Sequence, residues 1–201
     1  MKVKEYEYLI DALKSLPTVS TKSANKIANH LINSDKEYFN ELVNRMIEAK
    51  TRIKFCQYCN NMVVNSFSCD ICKNSDRHNH KLCIVSSIDD LYKIESSESF
   101  YGTYFILKNE LDYKNKDSIK NMKLDQLEQT INNFNINEIL IATNMTTNGE
   151  LTAKYIKNYL KEKNFNIEFY RLALGIPLNA SIDYIDWESL KFSIKNKTKM
   201  E

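Results

Sequence analysis

The chain is 201 residues long, with 43% hydrophobic and 27% charged side chains, enough apolar material to bury a core in one or two domains. Three glycines and two prolines exclude collagen-like, linker-type and Pro-rich disordered chains, and no run approaches the ~20 apolar residues of a membrane span. Net charge is only +2, from 28 basic and 26 acidic side chains, so charge alone makes no case for nucleic acid.

The opening MKVKEYEYLI carries two glutamates and no long apolar stretch. No secretory signal is therefore expected, and a cytoplasmic chain with reduced thiols is. Tyr6, Leu9, Ile10 and Leu13 make one apolar stripe at helical spacing, ended by Pro17. Ser20 or Thr21 can cap a second helix from Lys22 to about Asn33, with Ile27, Ala28 and Leu31 facing inward. Ser34 or Asp35 can cap a third, striped by Tyr38, Leu42, Met46 and Ala49. Three short helices in ~50 residues form a bundle that is marginal alone. Residues 1–54 hold ten basic against seven acidic side chains, and the remainder eighteen against nineteen, which hints at a basic N-terminal face.

A polar, cysteine-rich stretch follows, and then apolar runs alternate with helical patterns. Strands are predicted at 82–85, 104–107, 139–142 and 167–172, and helices at 88–97, 123–134, 149–163 and 186–195. Such alternation argues for βαβ units and a mainly parallel sheet. The predicted fold class is therefore a composite of α+β and α/β type, divided as 1–54, 55–76, 80–175 and 176–201, with a loose polar tail from residue 195.

Cys56-x-x-Cys59, nine residues, then Cys69-x-x-Cys72 is the sharpest local signal. Two such turns bring four thiolates around one tetrahedral ion, and a filled shell makes it structural. One Zn²⁺ per chain is expected, because disulfides and free thiols fit a cytosolic chain poorly. So short a segment has almost no apolar core of its own, so the metal is expected to supply most of its folding energy. Cys83, inside an apolar strand, reads as a packing residue. His78 and His80 read as exposed loop residues, and His30 as a core or cap residue near a helix C-terminus.

The link Leu16-Pro17-Thr18-Val19-Ser20-Thr21-Lys22-Ser23-Ala24 joins two helices in a short hairpin, a shape that can aim N–H groups at phosphate. Lys22 and Lys26 stand one turn apart on the second helix. A plain helical turn explains the same residues, and the link has no glycine to allow close backbone approach.

The motif L-P-x-V-x-x-K-S-A-x-K-I-A-x-H-L, from Leu16 to Leu31, resembles the helix-hairpin-helix of the bacterial recombination mediator family RecR, and the four cysteines follow at that family's spacing. Ile141-Ala142-Thr143-Asn144-Met145-Thr146-Thr147-Asn148-Gly149-Glu150 is similar to the family's Toprim segment, and Leu172-Ala173-Leu174-Gly175-Ile176-Pro177 and Asp183-Tyr184-Ile185-Asp186 continue the match. The likeness runs in order over residues 5–195. It implies a helix-hairpin-helix region, a zinc finger, a Toprim domain and a C-terminal oligomerisation segment.

Toprim enzymes hold magnesium on acidic residues in a pattern like L-A-T-D-x-D-x-x-G-E, and hard carboxylate oxygens suit that ion. The two Asp positions are Asn144 and Thr146 here. The Glu usual after the first Toprim strand is also missing, since that run reads Ile84-Val85-Ser86-Ser87. Glu150 remains. Asp89 and Asp90 are better placed to cap the next helix. The resemblance therefore implies a non-enzymatic mediator of DNA repair that acts with RecO and RecF to load RecA on single-stranded DNA. It also implies a homotetrameric ring with Lys22 and Lys26 facing sequence-independent DNA, associated with the nucleoid and with no membrane. A zinc-stabilised protein adaptor without DNA binding, and a degenerate metal-dependent phosphotransferase, are the alternatives. The family's usual hairpin glycines are Thr18 and Ser20 here, and Asn179 stands where a Gly often follows Gly-Ile-Pro.

Overall fold

The computed structural model describes residues 3–112, 114, 115, 118–173 and 175–197. Leu174 of the 172–177 run and residues 198–201 of the predicted tail lie outside the described residues. The chain divides into two compact units, Met1–Ile53 and Lys54–Glu201. Among the described residues no helix is long and apolar enough to cross a membrane.

The first unit holds α1 (Lys4–Lys14), α2 (Thr21–Asn33) and α3 (Lys36–Arg52). Ser20 caps α2 by accepting the Ser23 N–H at 3.1 Å, and Asp35 caps α3 by accepting the Tyr38 N–H at 2.7 Å. Ala24 and Ala28, one turn apart, are the buried residues of α2, and Tyr6 Oη–H bonds Asn29 Oδ1 at 2.9 Å between α1 and α2. The expected inward stripes are only partly realised. Ala28 is buried, but Ile27, Tyr38 and Met46 are exposed. Three short helices have too little mutual surface to cover every apolar face.

A two-stranded sheet comes next in the chain, β1 (Ile53–Phe55) and β2 (Met62–Val64), followed by α4 (Asp70–Lys73) and a 3₁₀ turn, Ser75–Arg77. Then come β3 (Lys81–Val85), α5 (Ile88–Ser96), β4 (Thr103–Ile106), α6 (Ser118–Asn121), α7 (Leu124–Asn133), β5 (Glu138–Ala142), α8 (Thr147–Glu162), β6 (Glu168–Arg171) and α9 (Trp187–Lys195). The large sheet has the order β4-β3-β5-β6 and is parallel throughout, with Cys83 opposite both Tyr104 and Leu140.

Alternation along β3 assigns the two faces. Leu82 and Ile84 pack with Phe105, Leu127, Ile131, Ile156 and Leu160 on the α7/α8 side. Cys83 and Val85 pack with Leu91, Tyr104 and Ile106 on the α5 side. Each fully buried large apolar side chain contributes roughly 1.5–3 kcal/mol. Cys83 is indeed a packing residue, and burial pushes its thiol up to about 12. Ser87 and Asp90 form a reciprocal cap at the start of α5.

The cysteine segment departs from the expectation of a nearly coreless module. Its four cysteines belong to the same apolar cluster as Leu82, Ile84 and Phe105. The Thr130 hydroxyl of α7 bonds the Tyr58 carbonyl at 2.7 Å, and Gln126 Nε2 bonds the Gln57 carbonyl at 2.7 Å. On the outer edge of β4, the Ile106 N–H donates to the Cys59 carbonyl at 2.9 Å, and Asn60 Nδ2 donates to the Ile106 carbonyl at 3.0 Å. The cysteine turn thus covers a sheet edge that would otherwise offer open backbone groups.

Candidate functional site

Cys56, Cys59, Cys69 and Cys72 converge, with all four Sγ atoms within 4.8 Å of one another and every side chain buried. Cys59 Sγ and Cys69 Sγ lie 3.4 Å apart, and no disulfide joins them. A tetrahedral ion with sulfurs at ~2.3 Å needs S–S edges of about 3.8 Å, so the four fit a metal. Main-chain N–H groups of Asn61 and Cys69 point at Cys59 Sγ and Cys56 Sγ at 3.4 Å each, donors that suit thiolates. Hydrogen bonds from Cys59, Cys69 and Cys72 hold the Cys56 thiol well below the ordinary range, whereas bonds to the other three hold Cys72 well above it. A cation at the centre would neutralise thiolates brought this close together.

His78 is half-buried, not exposed as its loop position suggested. Its ring packs 4.6 Å from Phe134, and Nε2–H donates to the Cys72 carbonyl at 3.1 Å. His80 is exposed and bonds the Asn135 carbonyl through Nδ1. Neither imidazole joins the thiol cluster. His30 is exposed, with its ring edge-on to Tyr38 at 5.6 Å.

A second constellation lies where parallel strands end, the usual ligand edge of such sheets. Ser86 follows β3 and Asn144 follows β5; they meet on a carboxylate that the sequence reading missed, Glu110. Its Oε1 accepts the Ser86 hydroxyl at 2.6 Å, the Asn144 N–H at 2.8 Å and Asn144 Nδ2 at 2.9 Å. Thr146 is used as the N-cap of α8, accepting the Gly149 N–H at 3.2 Å. Glu150, in the first turn of α8, accepts from Arg171 Nε at 3.0 Å and Nη2 at 2.8 Å. Arg171, also missed, closes β6. It was the lone cation at the C-terminal end of a predicted strand, a position that in parallel sheets faces the ligand edge.

Magnesium, which the Toprim resemblance brings with it, does not fit these residues. Ser86 and Asn144 present donors, and the two carboxylates they and α8 leave are already bonded by a hydroxyl, two N–H groups and a guanidinium.

Lys22 and Lys26 are exposed one turn apart on α2, in the first unit. Among the described residues neither has a hydrogen-bond or ion-pair partner. The hairpin before them keeps a glycine-type backbone at Thr18, whose φ is 65°.

A family model for "RecR, helix-hairpin-helix" matches residues 6–50, and one for the Toprim domain matches residues 80–172. The recombination protein RecR of Ureaplasma parvum serovar 3 is 43% identical over 196 residues, covering 98% of this chain and 96% of that protein. RecR of Francisella philomiragia is 33% identical over 193 residues, covering 96% and 94%. RecR of Acinetobacter baylyi is 33% identical over 196 residues, covering 98% of each. The order of hairpin and Toprim domain agrees with these matches, and the chain belongs to the RecR family of recombination proteins.

Proposed function

We propose that the chain is a non-enzymatic, DNA-binding mediator of recombinational repair, acting with RecO and RecF to help load RecA on single-stranded DNA. The observation that carries this reading is that Ser86, Asn144 and Thr146 stand where the Toprim resemblance would put metal-binding carboxylates, in a chain that belongs to the RecR family. Glu150 and Glu110 are both engaged internally. Such a site presents no open acidic pair for phosphoryl chemistry.

Lys22 and Lys26 are the DNA contacts in this reading. Their ammonium groups are exposed and, among the described residues, unpaired, and two point charges one turn apart can follow a phosphate backbone without reading bases. The metal is Zn²⁺, bound by Cys56, Cys59, Cys69 and Cys72, which would brace the turn over the edge of β4 and do no chemistry on substrate. The assembly is a homotetrameric ring. Apolar side chains left uncovered support association of copies: Tyr8, Met46 and Ile47 in the first unit, and Leu178 (95% exposed), Tyr184 (91%) and Trp187 (77%) near the C-terminus. A ring holds DNA by enclosure, so a net charge of +2 per chain suffices.

Light scattering with and without a single-stranded/double-stranded junction tests assembly and capture together. The expected result is an oligomer that retains DNA with a strong salt dependence. Lys22→Ala plus Lys26→Ala should abolish retention at unchanged metal content, and each single substitution should weaken it and lower the salt slope by about 1. A strict monomer, or an oligomer that never retains DNA, overturns the reading; the latter favours a protein-only adaptor.

A further inference from the structure

The guanidinium of Arg171 sits where oxygen atoms crowd. Three carbonyls at the end of β5 point at it: Nη1 donates to Ile141 at 2.8 Å and to Thr143 at 2.7 Å, and Nη2 donates to Asn144 at 2.9 Å. Nε and Nη2 complete the set on Glu150 Oε1 at 3.0 and 2.8 Å. Those five contacts use all five N–H groups that a guanidinium owns. The Arg171 side chain is only 22% exposed and is shielded from competing water, while Glu150, at 44%, still meets solvent.

Carbonyl and carboxylate oxygens grouped in this way are hard ligands, the kind that attract a divalent cation. Left alone, they would also repel one another in a half-buried loop. A guanidinium meets both conditions. It stays charged at any ordinary pH, and its planar fork spreads that charge over several acceptors at once. Across the loop, the donors of Ser86 and Asn144 do the same for Glu110, converging on Oε1 where a metal ion would otherwise be needed.

We propose that Arg171 is the resident cation of the Toprim site: it neutralises Glu150, fixes the Asn144 loop, and takes the place that a divalent metal would require. The site then binds no magnesium at all, and its surface is held rigid by side chains of the chain itself. This extends the non-enzymatic reading and makes a separate demand. Absence of DNA cleavage would be met by weak or misplaced metal; absence of a Glu150-dependent metal site would not.

Electron paramagnetic resonance of Mn²⁺ titrated into the full-length, metal-replete protein, with melting curves taken with and without Mg²⁺, tests it. Wild type and Glu150→Gln should leave the free Mn²⁺ signal equal, and Mg²⁺ should not move the wild-type melting temperature. Arg171→Gln should melt lower, acquire a bound Mn²⁺, recover part of its melting temperature in Mg²⁺, and lose both gains when combined with Glu150→Gln. A wild type that binds Mn²⁺ in a Glu150-dependent way overturns the proposal. So does a folded Arg171→Gln that binds none, because Arg171 would then be a structural tie only. If Arg171→Gln fails to fold, the comparison of wild type with Glu150→Gln decides alone. DNA cleavage assays on the same wild-type sample report on the non-enzymatic reading independently.

Discussion

Thr18 has a φ of 65°, in the left-handed region, although its side chain is β-branched. That combination costs on the order of 1–2 kcal/mol, because Cβ crowds the following carbonyl. The Thr18 hydroxyl recovers part of this by donating to the Pro17 carbonyl at 2.6 Å. Thr18→Gly should therefore stabilise the hairpin by about 0.5–1 kcal/mol, the relief of strain exceeding the extra entropy that glycine adds to the unfolded chain. Hydrogen-exchange protection over residues 4–33 measures it, and a loss of protection would mean that no strain resides there. Asn179, at φ 64°, makes the control. Asparagine tolerates this region, so Asn179→Gly should be close to neutral. Position 20 follows another logic: Ser20 is extended and its hydroxyl caps α2, so a glycine there would only weaken the cap. One of the two absent glycines thus leaves its backbone requirement behind, and the other is replaced by a residue suited to a different task.

At the scale of elements, the start of α8 holds the Toprim loop together. Gly149 is needed there for space. A Cβ on it would lie 2.0 Å from the Asn144 carbonyl oxygen, the same atom that accepts from Arg171. Backbone cannot yield as a flexible side chain can, so Gly149→Ala should cost more than about 2 kcal/mol. Thermal melting would register the loss, and an unchanged melting temperature would show that the loop can move aside. The four strands of the sheet and α5, α7 and α8 were legible in the sequence, three of the strands because buried parallel strands are continuous apolar runs bounded by polar turns, whereas the four-residue α6 was not. β1, β2 and α4 were not, being three or four residues long and set by the cysteine geometry rather than by a hydrophobic period. Ser86, Asn144, Thr146 and Glu150 could be found from motif spacing. Glu110 could not, because it joins the site only through pairings with residues far away in sequence, and Arg171 was marked only by its place near the end of a predicted strand.

The whole second unit turns on how the cysteine turn is joined to the sheet. Ile106 stands on the edge strand and separates the two sides cleanly. Its own N–H points outward to the Cys59 carbonyl, whereas the next N–H, of Leu107, points inward to Val85 at 2.9 Å. Replacing Cys59 by serine leaves three thiolates and should release the metal, which elemental mass spectrometry would detect. An ion that binds only the folded site stabilises it by about 4 kcal/mol at a thousandfold excess over its Kd, so a loss of that order is expected in a urea titration. The loss should be uneven in space. Apolar packing of Leu82, Ile84, Phe105 and Ile156 does not depend on the ion, so the sheet persists while the turn over its edge opens. Hydrogen exchange should then speed up at Ile106 and stay slow at Leu107 and along Leu82–Val85. Chelation of the wild-type protein should give the same pattern. Equal loss of protection at Ile106 and Leu107 would show instead that the cysteine turn and the sheet unfold as one cooperative body, with the metal stabilising both.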